Sequence, residues 1–105
     1  MTTRITEYKH ELSGNWSISG VVKQLDSLAG ILKKLEPNKY KKLHIDCSRI
    51  NSIDMSGLQL IRVWRECARI RGVESRLSNI PDHMHSTILS VGLGRSFSDC
   101  FPDVV

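Results

Sequence analysis

The chain has 105 residues, 15 of them Lys or Arg against 11 Asp or Glu for a net charge of +4, and its 40% apolar fraction suffices for one modest core. It carries no apolar run of membrane-spanning length, and Met1-Thr2-Thr3-Arg4 leads into no apolar leader region. The expectation is one soluble, cytoplasmic domain over residues 1–105 without membrane insertion. Three scattered cysteines, Cys47, Cys67 and Cys100, exclude a disulfide framework and a zinc knuckle.

In chain order, Ile5 to Leu12 alternates, with Tyr8, His10 and Leu12 on one side, and reads as a first strand. Asn15-Trp16-Ser17-Ile18 reads as a second short strand closed by Ser19-Gly20. Residues 21–35 follow the helical period. Val21, Val22, Leu25, Leu28, Ala29, Leu32 and Leu35 share one arc, and Lys23, Asp26, Ser27, Lys33 and Lys34 share the other. Pro37-Asn38 stops this helix, and Lys39, Lys41 and Lys42 fill a loop. Leu43-His44-Ile45-Asp46-Cys47-Ser48 alternates as a half-buried strand does.

Residues 55–71 form a second amphipathic pattern. At about 100° per residue, Leu60, Val63, Trp64, Cys67, Ala68 and Ile70 lie on the core arc. Gln59, Arg62, Arg65, Glu66 and Arg69 lie opposite, with Met55 and Leu58 exposed among them. Val73 to Asn79 is strand-like after Gly72. Pro81-Asp82 then opens a short helix carrying Met84, Ile88, Leu89 and Val91, which Gly92 ends. The segment after Phe97 has too little pattern to assign. Strands alternating with helices predict an α/β fold, with a mostly parallel (mixed) central sheet and helices packed against it. Cys47 and Cys67 fall on core faces and Cys100 in an exposed tail.

Ile53-Asp54-Met55-Ser56-Gly57-Leu58 is the most informative run, because it joins a strand to a helix. Ser56 falls in the first helical turn, where backbone N–H groups lack intrahelical partners and the dipole is positive. Such a place suits an anion, which phosphorylation of the serine would supply. The alternative reading is that Asp54 or Ser56 caps the helix and Gly57 eases a tight turn. Met55 and Leu58 beside Ser56, rimmed by Arg62 and its neighbours, describe a partner-binding surface.

Catalysis by the chain alone is not expected. His83 and His85 are two residues apart on a helix and cannot share a metal, and His44 with Asp46 reads as a local hydrogen bond. No Gly-x-Ser-x-Gly elbow or phosphate-binding glycine loop is present, and no cofactor or metal is expected. The basic residues are spread, with two each of Trp, Tyr and Phe and no nucleic-acid motif. They read as a solvated face or a surface for an acidic protein, not a nucleic acid.

Asp46-Cys47-Ser48-Arg49-Ile50, then Ile53-Asp54-Met55-Ser56-Gly57-Leu58-Gln59-Leu60, the Arg-rich helix ending at Gly72, the Val73–Asn79 strand and Val91-Gly92-Leu93 together resemble a STAS domain over roughly residues 5–97. This is the domain of bacterial anti-sigma factor antagonists and of sulfate-transporter tails. The resemblance implies that Ser56 matches the serine phosphorylated by a partner kinase, that Asp54 opens the same loop and that Asp46 is the nearby acidic position. Met55 departs from the small or hydroxylated residue antagonists often carry there. The implied role is a non-enzymatic regulator of transcription, binding a serine-kinase-type anti-sigma factor through Asp54, Met55, Ser56, Gly57, Leu58 and Arg62 and released by phosphorylation. The alternative is a constitutive accessory subunit contacting the ATPase of an ABC-type phospholipid-transport complex. Homodimer formation is left open.

Overall fold

Three strands and three helices alternate along the chain: β1 (Thr6–Trp16), α1 (Val21–Lys34), β2 (Lys41–Ile53), α2 (Met55–Ile70), β3 (Val73–Ser78) and α3 (Asp82–Ser90), followed by a 3₁₀ turn at Ser98–Cys100. The structure, a computed structural model, describes residues 6–34 and 41–100. The strands are parallel in the order β1-β2-β3. This is the α/β arrangement that the alternation of patterns predicts.

The two short N-terminal strands are a single strand in the structure. Its continuity depends on irregular pairing with β2: between Glu11 and Ser13, and again between Gly14 and Asn15, β2 advances one residue more than β1. Each extra residue is a bulge that breaks strict alternation. Leu43, Ile45 and Cys47 point inward in period two, after which Ser48 and Arg49 are both exposed and Ile50 and Ile53 return to the core. A period-two reading therefore stops at Ser48, five residues short of the strand's end. Gly14, at the second bulge, has φ +91°, a conformation that favours glycine. Lys41 and Lys42 begin β2 and do not belong to a loop. The expected helix stop at Pro37-Asn38, with Leu35 and Lys39, lies outside the described residues.

Helices cover one face of the sheet. The other presents Glu7, Lys9, Glu11, Lys42, His44, Asp46, Glu74, Arg76 and Ser78 in register-matched rows. The core is built from Leu12, Trp16, Leu43, Ile45, Cys47, Ile50 and Leu77 of the sheet, together with Leu28, Ile31, Leu58, Ile61, Trp64, Ala68, Met84, Ile88 and Phe97. Both long helices are rolled relative to the expected arcs. On α1, Leu28 and Ile31 are buried while Val22, Leu25 and Ala29 are exposed. On α2 the buried set is Gly57, Leu58, Ile61, Trp64 and Ala68, whereas Val63, Cys67 and Ile70 face solvent. The placements of Leu58 outside and Cys67 inside are thus corrected.

The roll has a specific cause at Gly57. A Cβ there would lie 2.9 Å from the Trp16 carbonyl carbon, still closer to its oxygen, and 3.0 Å from Ile53 Cγ1. The first turn of α2 therefore rests directly on the end of β1. Turning Gly57 inward carries Ile61, Trp64 and Ala68, at spacings of four, three and four, into the core. Trp64 completes the seam by donating its Nε1–H to the Leu28 carbonyl of α1 at 2.9 Å.

Gly57→Ala is expected to destabilise the domain by about 2 kcal/mol or more, as overpacking against immovable backbone does. Gly30→Ala, where an added Cβ meets nothing within 4 Å, should instead stabilise it by about 0.5–1 kcal/mol through helix propensity. Urea denaturation of the two variants tests both signs.

Candidate functional site

The site is the junction where β2 hands the chain to α2. Asp54 is the N-cap, with extended backbone (φ −129°, ψ −170°). Its Oδ1 accepts the Ser56 amide at 2.8 Å and the Gly57 amide at 3.4 Å, two of the donors that a helix start leaves unpartnered. Its Oδ2 accepts the Ile18 amide at 2.9 Å, from the turn between β1 and α1. The carboxylate thus clips together two junctions 36 residues apart. These bonds, foremost that from the Ile18 amide, hold the Asp54 carboxyl below its ordinary pKa.

Behind this clip lies a polar hub on Asn15. Its Oδ1 accepts the Ser17 amide at 2.9 Å, the Ser17 hydroxyl at 2.6 Å and the Ser52 hydroxyl at 2.8 Å, and its Nδ2 donates to Ser19 Oγ at 3.0 Å. Gln24 Nε2 reaches back from α1 to the Ser13 and Asn15 carbonyls at 3.1 and 3.3 Å. Sequence reasoning missed this hub. Its only local signal is Asn15-x-Ser17, the spacing of an Asx turn, whereas the Ser52 contact is purely tertiary.

The structure brings together part of the predicted set. Met55 is exposed, and Asp54 and Ser56 are half-buried beside it. Gly57 and Leu58 are buried, so both support the surface from below and do not form it. Arg62 is exposed about 9 Å down the helix axis from Ser56, the rise of six residues, with its Nε–H on Gln59 Oε1 at 3.0 Å. Asp46 is not at the site. It lies on the open sheet face with Glu7, Lys9, His44 and Ser78, on the order of 20 Å from Asp54 along β2. There the Ser48 amide, at 2.8 Å, keeps its carboxyl below the ordinary value. His44 shares that face, but its Nε2 lies 4.0 Å from Glu7 Oε1, while Asp46 is occupied by Ser48.

Two further expectations are revised at the far side of α2. Arg65, expected outside, is largely buried. Its guanidinium donates to Ser75 Oγ and to the Ser75 carbonyl, both at 3.1 Å, and pairs with Asp99. Partial burial alone would raise the Asp99 carboxyl, but the Arg65 bond and charge outweigh it and the net direction is down. Cys100 is drawn in with this clasp and is half-buried, its thiol pushed up to about 11 by burial. Cys47 is buried as expected, its thiol pushed up to about 12. Neither is a reactive thiolate at neutral pH. Among the described residues, no group of three or more His, Cys, Asp or Glu is placed to hold a metal ion. None of the helices there is long and apolar enough to cross a membrane.

Asp54→Ala removes the cap and the cross-tie, and should cost about 1–2 kcal/mol at pH 7. Because the folded pKa is depressed, this stabilisation is complete above the unfolded value of about 4 and is lost as the pH falls through the folded value. The difference between wild type and Asp54→Ala in chemical denaturation should therefore narrow as the pH falls below about 4.

The comparisons with known proteins agree with this geometry. Residues 8–101 match the family described as "Mlab, STAS domain". Among solved structures, a sulfate transporter family protein from Wolinella succinogenes superposes with a TM-score of 0.69 at 20% identity, over 92% of this chain and 75% of that one. At that identity the likeness concerns the fold. No curated protein matches the chain in sequence. With the parallel β/α framework and the Asp54-Met55-Ser56-Gly57 helix start in place, a match spanning nearly the whole sequence shows that the chain belongs to the STAS domain family.

Proposed function

We propose that this STAS domain is a regulatory protein-interaction module of the anti-sigma factor antagonist type, switched by phosphorylation of Ser56. The observation that carries the reading is the local geometry of Ser56. It sits half-buried between exposed Met55 and the Asp54 clip, its own amide already held by that carboxylate. A phosphate there would add about −1.5 to −2 charges at pH 7. It would stand beside an ionised carboxylate and compete with it for the amides of the first turn. Repulsion would loosen the tie from Asp54 to Ile18, and the charge would raise the cost of desolvating Met55 and Ile18 against a partner. The unmodified domain then binds a serine-kinase-type anti-sigma factor in the cytoplasm, and the modified domain releases it. In this scheme the chain is ligand and substrate, and the partner supplies the catalysis.

A second reading is supported by the description of the matching family. As a constitutive accessory subunit of an ABC-type phospholipid-transport complex, the domain would present the same helix start to the ATPase with Ser56 unmodified.

Phosphosite mapping on protein isolated from its native host in growth and stress, with identification of whatever co-purifies, separates the two. Under the switch, Ser56 carries phosphate that varies with condition. Ser56→Asp folds normally and binds the kinase partner at least about tenfold more weakly, about 1.4 kcal/mol, and Ser56→Ala binds constitutively. Equal affinity of Ser56→Asp and wild type, with an ATPase co-purifying, would replace the switch with the transport reading.

A further inference from the structure

Among the described residues β3 pairs with β2 on one side only, so its other side is an edge of the sheet. Such an edge turns the N–H and C=O of every second residue outward. The Ser75 carbonyl is reached from outside by Arg65 Nη2 at 3.1 Å, and the Leu77 amide faces the Cys100 thiol. Val73, Ser75 and Leu77 therefore present their backbone groups outward, and Glu74 and Arg76 present theirs to β2. The side chains follow the same parity: Val73, Ser75 and Leu77 are buried beneath the helices, whereas Glu74 and Arg76 lie on the open face. A cavity of about 470 Å³ opens along this edge, lined by Gly72 to Arg76 and by Arg62, Arg65 and Arg69 of α2.

The sequence of this edge is complementary to itself. In an antiparallel pair of β3 strands centred on Ser75, Val73 meets Leu77 of a second copy, Glu74 meets its Arg76, and Ser75 meets its counterpart. The outward-facing residues then form the hydrogen-bonded pairs, and Glu74 and Arg76 fall at the non-hydrogen-bonded positions, where opposed side chains come closest. Each open-face row of the joined sheet reads Lys42, Glu74, Arg76, His44, since Lys42 is the β2 neighbour of Glu74 and His44 that of Arg76. A slip of two residues in either direction sets Arg76 against Arg76 or Glu74 against Glu74, so charge selects the one register. The pairing is two-fold symmetric and closes as a dimer.

The 98–100 turn stands on the Leu77 end of this edge. Arg65 donates to the Ser75 hydroxyl and carbonyl and pairs with Asp99, and so pins the turn against β3. The turn follows Phe97, which is fully buried, while Ser98 and Asp99 are exposed. Its polar tie to α2 is an ion pair to a half-exposed carboxylate, a contact of small strength. Covering an edge with a loop is one way in which proteins prevent strand addition. We propose that β3 is a latent dimer seam, paired antiparallel with β3 of a second copy about Ser75 and guarded by the Arg65–Asp99 clasp. Release of Asp99 swings the turn out about Phe97 and leaves Arg65 in place, because the Ser75 carbonyl has a second lone pair for the incoming strand. The seam does not involve Ser56 and stands apart from the proposed switch.

The test is sedimentation equilibrium and amide hydrogen exchange on Asp99→Ala beside wild type. The variant is expected to keep the circular dichroism of wild type, to dimerise at least about tenfold more tightly, and to protect the Ser75 amide as it does so. In that background Glu74→Arg and Arg76→Glu should each weaken self-association at least about tenfold, because like charges then meet across the seam. An equimolar mixture of the two should dimerise again, since each strand supplies the charges that the other lacks. Should Asp99→Ala fail to fold, the same two charge variants in the otherwise unaltered chain read the seam through concentration-dependent amide shifts at residues 73–77, expected in wild type and in the mixture and absent from each variant alone. A folded Asp99→Ala as monomeric as wild type, charge reversals without effect, a mixture that stays monomeric, a Ser75 amide already protected in the dilute wild-type monomer, or a wild-type chain without those shifts in the second arm would each overturn the proposal.

Discussion

The contact on which the arrangement turns is the seating of Gly57 on the carbonyl of Trp16. It joins the end of an edge strand to the first turn of the central helix with no side chain between them, and so sets the roll of α2. From that roll follow the burial of Leu58, Ile61, Trp64 and Ala68, the turn of Arg65 toward β3, and the exposure of Met55 and Val63. Helix packing is usually described as side-chain ridges in grooves. Here backbone contact defines the orientation before the side chains pack.

Asp54 and Asn15 hold that contact in place from the polar side. One carboxylate caps α2 and grips the Ile18 amide, and one amide gathers Ser17, Ser19 and Ser52. The exposed position of these bonds makes each individually weak, but together they constrain two loops that have little apolar area to order them. Ser56 thus belongs to a surface made rigid from three parts of the chain. A charge placed there acts first on the clip, then on the Ile18 and Met55 contacts that depend on it.

A three-stranded sheet with helices on one face uses only a narrow arc of each helix. Both α1 and α2 have apolar arcs wider than this, and the surplus, Val22 and Leu25 on α1 and Val63 and Ile70 on α2, is left exposed. The sheet's open face shows the contrary pattern, with Glu7, Lys42 and Glu74 alternating in sign across the strands.

The alternation of strands and helices after the first turn, a cap at Asp54 or Ser56, the helix at 82–90 and the burial of Cys47 were legible in the sequence, because each depends on local spacing or on a cap that acts within one turn. The strand-to-helix junction carrying Ser56 was legible for the same reason. The length of β2 was not, since its bulges are defined by pairing with β1 and interrupt the period by which a strand is read. Nor was the side on which Leu58, Cys67 and Arg65 would fall: a helical wheel gives the width of an apolar arc, but only the position of the sheet decides which part of it is covered. The meeting of Asn15 with Ser52 is likewise a product of pairing between residues distant in sequence, and the separation of Asp46 from Ser56 follows from the unexpected length of β2. Sequence by itself determined the elements and the chemistry of the helix start. Tertiary structure decided the roll of the helices, and with it which residues a partner can touch, because burial depends on what lies opposite and not on the residue alone.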